Sequence, residues 1–240
     1  MFERAHHQRI AHVLSALDGS VLAQNACWFG GGTCIALRFG EYRESVDMDF
    51  LVSDAAGYRE LRQLLTGQDG LMPITRTGAM PLSLRREVRA DQYGIRTQVV
   101  MDGYAIKFEI VREARIVLQA PGPEDRLCGV GTLSVLDLAT SKLLANADRQ
   151  ADDGVFSRDV IDLAMMGLPL PQLQAALQKA TEAYGAAVAR DLAKAIDRMQ
   201  HRQGWLERCM QVMAMNLPKA VLWQKIRSLR RLLPKEPMGG

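Results

Sequence analysis

Residues Phe29–Val52 read FGGGTCIALRFGEYRESVDMDFLV, and the fold turns on them. A strand-like run, Cys27-Trp28-Phe29, meets the glycines Gly30, Gly31 and Gly32, and Thr33–Phe39 reads as a helix opening directly from that turn. A glycine turn between strand and helix leaves backbone N–H groups pointing outward at the helix N-terminus. Orphan donors and the helix dipole there both favour an anion such as phosphate. Side chains would hold a phosphate away, hence glycine, and Thr33 adds a hydroxyl that can cap the helix. Ser45–Ser53 (SVDMDFLVS) alternates as a strand, predicting Val46, Met48 and Phe50 on one face and Asp47 and Asp49 on the other. Two carboxylates at i and i+2 share that face as parallel like charges. On a crowded face they need a cation, and Mg²⁺, a hard ion that takes a few carboxylates plus substrate phosphates, fits. Singly, a glycine run is most often only a turn, and an Asp-x-Asp most often the wet face of an edge strand. In this order and spacing the two are far more specific than either alone.

Working outward, Ile10, Val13, Leu14, Leu17, Val21 and Leu22 recur at helical spacing and predict a helix over 5–24. Ala55–Leu65 reads as a helix broken by Gly67–Gly70. Ile95–Met101, the Asp102-Gly103 pair and Tyr104–Val111 form a hairpin signal, because both central residues of a tight primed turn need positive φ. Ile106, Phe108 and Ile110 then face one way, Lys107 and Glu109 the other. Pro121-Gly122-Pro123 marks a loop and a change of architecture. From Ser134 onward the periodicity is helical, over 134–147, 157–166, 170–183, 187–199, 205–215 and 218–232. The last of these carries an apolar stripe of Val221, Leu222, Ile226, Leu229 and Leu233, which suits either core packing or a dimer or partner interface. The expected fold is α+β: an α/β domain over residues 1–125, then a mostly helical domain over 126–240.

Composition narrows the class. With 240 residues, 48% hydrophobic, the chain can bury a sizeable core, and 24% charged residues argue against wholesale disorder. No apolar run approaches a membrane-helix length, the first residues lack a secretory apolar region, and Cys27, Cys34, Cys128 and Cys209 show neither a CxxC pair nor zinc spacing. A cytoplasmic protein is expected. His6, His7, His12 and His201 fit no metal spacing and read as structural or surface residues. Residues 1–197 hold 21 basic and 25 acidic side chains, whereas residues 198–240 hold nine and two. That asymmetry suits either a polyanionic partner or a solvated helix face, and charge alone favours the latter.

The order apolar–Gly-Gly–Thr–helix–Arg-x-Ser-x-Asp-x-Asp–apolar resembles the nucleotidyltransferase superfamily of the DNA polymerase β-like fold. Within it, Gly31-Gly32-Thr33 and Arg43–Asp49 are most similar to the AbiEii/AbiGii toxin branch. The resemblance implies a nucleotidyltransferase-type mixed sheet with flanking helices and a C-terminal helical bundle. Its third metal carboxylate would be Glu109, although a lone Glu109 beside Lys107 reads as an exposed ion pair. It also implies a helical lysine, here Lys142, and an Arg-Asp-x-x-Asp-Leu element, here Arg158–Leu163. These pieces span about residues 25–167. Two departures stand out: the third carboxylate is Glu, and Gly30 makes a triple glycine that is expected to loosen the turn.

What the resemblance implies is transfer of a nucleoside monophosphate from an NTP. Asp47, Asp49, Glu109 and Lys142 would be catalytic, and the three carboxylates would hold two Mg²⁺ ions, with Mn²⁺ as a substitute. Gly31, Gly32, Thr33, Arg43, Ser45 and Asp159 would bind nucleotide; Arg43 suits phosphate contact or pairing with Glu41 or Glu44 equally. The acceptor is expected to be tRNA or another RNA, gripped by Arg198, Arg202, Arg208, Lys219, Lys225, Arg227, Arg230 and Arg231 on the C-terminal helices. The same resemblance implies the toxin of a type IV-like bacterial toxin–antitoxin (abortive infection) pair with a cognate antitoxin, and no membrane partner. Two alternatives stay open: transfer to a small molecule such as an antibiotic, and a non-catalytic member that binds nucleotide or a partner protein.

Overall fold

Strand β1 (Cys27–Gly30) runs antiparallel to β2 (Met48–Val52), with Phe29 opposite Phe50 and Gly30 opposite Asp49. On the far side of β2, β5 (Tyr104–Arg112) is parallel and pairs Met48 with Phe108 and Asp49 with Glu109. The antiparallel strands β4 (Gly94–Met101) and β3 (Ser83–Ala90) complete a five-stranded sheet in the order β1-β2-β5-β4-β3. The computed structural model in which this sheet lies describes residues 2–233. It divides into two compact units, Met1–Val135 and Leu136–Gly240.

Alternation builds the first unit. Phe29, Phe50 and Phe108, one from each of three adjacent strands, are fully buried, with neighbouring ring centroids 5.3 Å apart. Met48, Ile95, Val99, Ile106 and Ile110 fill the same face. Because successive side chains on a strand point to opposite faces, burying these residues turns Asp49 and Glu109 to the other side. Helix α3 (Gly31–Arg38) opens at the end of β1, and α4 (Ala55–Leu65) follows β2 with Asp54 capping the Gly57 N–H. The β4–β5 turn has the positive φ its Asp-Gly pair demands, 51° at Asp102 and 79° at Gly103.

Two expectations needed correction, and three strands left no readable pattern in the sequence. The first segment is not one helix but α1 (Ala5–Ala16) and α2 (Gly19–Gln24). Asp18 accepts from the N–H groups of Ser20 and Val21 and so starts a new helix, and Leu17 instead bridges to Thr75. β2 begins at Met48, not Ser45, because side-chain bonds described below hold the preceding residues; Val46 is consequently 47% exposed and not in the core. β3 was absent from the sequence reading. Its residues, SLRREVRA, lack strict alternation because two register shifts break its pairing with β4. A short ladder of β6 (Arg126–Leu127) and β7 (Val130–Gly131) also went unseen, two residues per strand being too short to leave a pattern.

The second unit consists of α5 (Val135–Arg149), which opens at the boundary, α6 (Arg158–Met165), α7 (Leu170–Tyr184), α8 (Ala187–His201), α9 (Trp205–Val212) and α10 (Lys219–Ser228). Leu222, Ile226 and Leu229 of the C-terminal stripe are buried within it, where α10 packs on α6, while Val221 is left 41% exposed. The stripe is core packing. No helix among the described residues is long and apolar enough to cross a membrane. All four cysteines are free, and burial pushes the Cys34 thiol up to about 12.

Removing the central ring tests this account. Phe50→Ala is expected to lower the unfolding free energy by roughly 3–5 kcal/mol in chemical denaturation, whereas Val46→Ser should stay within about 0.5 kcal/mol.

Candidate active site

On the polar face of the sheet, Asp49 and Glu109 sit side by side in register, and Asp47, just before the strand, is near enough for its charge to act on Lys107. Glu109 is paired: Lys107 Nζ lies 2.7 Å from one of its oxygens and Arg96 Nε 3.3 Å from the other. Burial works to lower the Lys107 ammonium, but the hydrogen bond and charge of Glu109, together with the charges of Asp47 and Asp49, hold it above its usual range. One ammonium thus answers three carboxylates. Among the described residues no three histidine, cysteine or carboxylate side chains converge closely enough to form a ready metal cage. The donor set still suits a hard divalent ion, being carboxylate oxygen throughout, and one ammonium, that of Lys107, already lies within its field. Asp47, Asp49 and Glu109 are the residues that could hold such an ion.

The glycine turn has a further reason to be glycine on this face. Gly31 has φ +67°, and a Cβ there would lie 2.5 Å from Asp49 Oδ2. Glycine lets the Asp49 carboxylate lie against the backbone at the start of α3. At Gly30 a Cβ would meet only the side-chain ends of Leu51 and Leu133, at 2.7 Å. Thr33 is not the cap: α3 starts at Gly31 with Gly30 as its N-cap residue. The Thr33 side chain is buried, and its hydroxyl donates to Ser45 Oγ at 2.7 Å.

Ser45 is also held from the N-terminal helix. Its N–H donates to His7 Nε2 at 3.1 Å, so the ring proton resides on Nδ1 and is donated to Glu41 at 2.7 Å. Burial lowers the His7 pKa, outweighing the pull of Glu41, and keeps the ring in this neutral form. Glu41 in turn accepts from the backbone N–H groups of Glu3 and Arg4, and His6 bonds the Val46 carbonyl. Arg43 is buried and donates to the Glu44 carbonyl. The sequence placed His7 only among structural or surface residues, and the one signal of its buried position was a histidine among the apolar positions of an amphipathic helix.

Lys142, Asp159 and Asp162 come together inside the helical unit. The Lys142 ammonium lies 3.1 Å from Asp159 and 2.6 Å from Asp162, and Arg149 pairs with Asp159 at 2.7 Å. All but Arg149 are buried. Burial pushes the Asp159 carboxyl up, but the Lys142 charge and the Arg149 hydrogen bond outweigh it and hold the group below the usual carboxylate range.

Most C-terminal basic residues are bonded within their own unit. Arg198 and Arg202 both pair with Asp153 and lie over the Trp205 ring, at 4.8 and 4.1 Å from its centroid. Lys219 pairs with Glu207, Arg230 with Asp197, and Arg208 lies over Phe156. Arg231 donates to the Ser228 carbonyl. Lys225 and Arg227 stand outside these pairs.

Two solved Helicobacter pylori structures match the chain. A candidate nucleotidyltransferase from H. pylori aligns over 97% of both chains with a TM-score of 0.51 at 14% identity. The protein JHP933 aligns over 97% of this chain and 95% of its own, also at a TM-score of 0.51, with 13% identity. At those identities the likeness shows a shared fold. No curated protein matches the chain. The family model described as "Nucleotidyl transferase AbiEii toxin, Type IV TA system" matches residues 13–230, and the chain belongs to that family. It is a nucleotidyltransferase of the AbiEii toxin type.

Two outcomes follow from the geometry. Gly31→Ala places a methyl group against the Asp49 carboxylate, so nucleotidyl transfer should fall by about 100-fold with the fold retained by circular dichroism. Asp159, with its folded value depressed, contributes stability that is complete above the unfolded carboxyl value and is lost as pH falls through the folded one. Chemical denaturation should therefore show stability falling below about pH 4, and Asp159→Asn should flatten that limb.

Proposed function

We propose that the chain transfers a nucleoside monophosphate from an NTP to a hydroxyl of an RNA acceptor, in a divalent-metal-dependent reaction, and acts as the toxin partner of an antitoxin. The observation that carries this reading is the register pair Asp49–Glu109, with Asp47 beside it and a glycine turn against Asp49. Asp47 and Asp49 would hold two Mg²⁺ ions, or Mn²⁺, with Glu109 completing the site nearer the nucleophile. When bound, such ions neutralise triphosphate charge and favour ionisation of the attacking hydroxyl.

This chain's own groups orient the reaction. Backbone N–H groups at Gly31, Gly32 and Thr33, at a helix N-terminus, would face the departing phosphates. Ser45, fixed by Thr33 and His7, and Arg43 would line the same loop. The acceptor oxygen forms a bond to the α-phosphorus, the bond from that phosphorus to the bridging oxygen breaks, and pyrophosphate leaves with the electron pair. The hydroxyl proton is lost toward the carboxylate side. Lys142 and Asp159, which the resemblance made catalytic and nucleotide-binding, are paired with Asp162 and Arg149 inside the helical unit and are given no step in this reading.

Incubating the protein with Mg²⁺, each radiolabelled NTP and total tRNA tests the proposal. Label should reach RNA with the wild type, and not with Asp47→Ala or in excess chelator. Absence of transfer from every NTP, together with absence of metal-dependent NTP binding, refutes it.

A further inference from the structure

The geometry points to an RNA-backbone track on the polar face of the sheet, running from the carboxylates to Arg86 and Arg89 on the edge strand. It rests on the nucleotidyl-transfer reading and identifies where the acceptor strand lies. Two rows cross the face in register. One is Asp49, Glu109, Arg96 and Arg89; beside it runs Lys107, Gln98 and Arg86. Strand spacing makes the distance from β2 to β3 roughly 14 Å, enough for a few nucleotides of extended strand.

The two register shifts in β3 build this track. Regular pairing onward from Leu84 and Val99 would set Arg85 against Gln98 and Glu87 against Arg96. The second pairing would give Arg96 a cross-strand carboxylate. Instead the shifts bring Arg86 opposite Gln98 and Arg89 opposite Arg96, and Glu87 is displaced from that position. Bulges commonly re-aim side chains beside active sites. A pair of like charges directly opposite destabilises a sheet unless an anion lies over both. Arg96 is engaged by Asp91 and Glu109, whereas Arg86 and Arg89 are exposed and have no carboxylate partner among the described residues.

Tyr93, in the β3–β4 turn at the end of the track, is 65% exposed and presents an aromatic face on which a base can stack. Charge complementarity therefore favours a phosphodiester strand whose terminal hydroxyl reaches Asp49 and Glu109. The C-terminal helices compare poorly, since most of their cations already have partners.

Fluorescence anisotropy with a short 5′-labelled single-stranded RNA tests the track, using the full chain. Arg86→Ala/Arg89→Ala should weaken binding on the order of tenfold and make the slope of log K against log salt shallower by about 1.4, while metal-dependent NTP binding is unchanged. Tyr93→Ala should weaken binding without changing the salt slope. Lys225→Ala/Arg227→Ala should bind RNA as the wild type does. The track is overturned if the Arg86/Arg89 variant binds RNA normally, if the Lys225/Arg227 variant is the one that fails, or if polyglutamate displaces the RNA as well as unlabelled RNA does. A wild type that binds RNA through Arg86 and Arg89 but transfers no nucleotide would retain the track and remove the transfer reading.

Discussion

Everything in the first unit depends on the packing of Phe29, Phe50 and Phe108 across β1, β2 and β5. The rings lock the register of three strands, and a sheet's register cannot drift by one residue without exchanging its faces. A slip of β2 would carry Asp49 into the core and expose Phe50 and Met48. The apolar side of the sheet thus specifies the polar side: Asp49 stands beside Glu109 because Phe50 and Met48 cannot face water at that strand. Each ring removed from water contributes on the order of 2 kcal/mol, with a further fraction from ring-on-ring contact.

Around that register, the site is assembled from short polar bonds that reach far along the chain. Glu41 gathers the N–H groups of Glu3 and Arg4 and the ring of His7, and His7 passes the constraint to Ser45. A loop between helix and strand is ordinarily the looser part of a fold. Here the first turn of α1 ties it down, two residues before Asp47. The helical unit uses a different device, a buried lysine between two aspartates, which is costly to desolvate and therefore intolerant of losing any one member.

Much of this was legible from residue order. The strand–glycine–helix turn, the Asp-x-Asp segment, the Asp-Gly hairpin and the C-terminal helices all leave local patterns, since period and turn chemistry act within a few residues. The family motifs singled out Glu109, which stands in register with Asp49, and Lys142, which pairs with Asp159 and Asp162 inside the helical unit. What was not legible depended on contacts distant in sequence. Gly31 serves the approach of Asp49, Gly30 makes room for Leu133, and His7 meets Glu41 and Ser45 only once folded. β3 was hidden because its bulges destroy the alternation by which a strand is recognised. The cationic stretch at the C-terminus was visible, but its pairing with Asp153, Glu207 and Asp197 was not, so charge count overstated how much positive surface remains.

β3 also ends the sheet, and an unpaired strand edge is a template on which other chains can extend it. Its two irregularities interrupt the repeating row of donors and acceptors, and Arg85, Arg86 and Arg89 set charge along it. A second copy approaching this edge would meet a mismatched ladder and like charge. This edge of the sheet is thereby guarded against self-assembly into extended sheets.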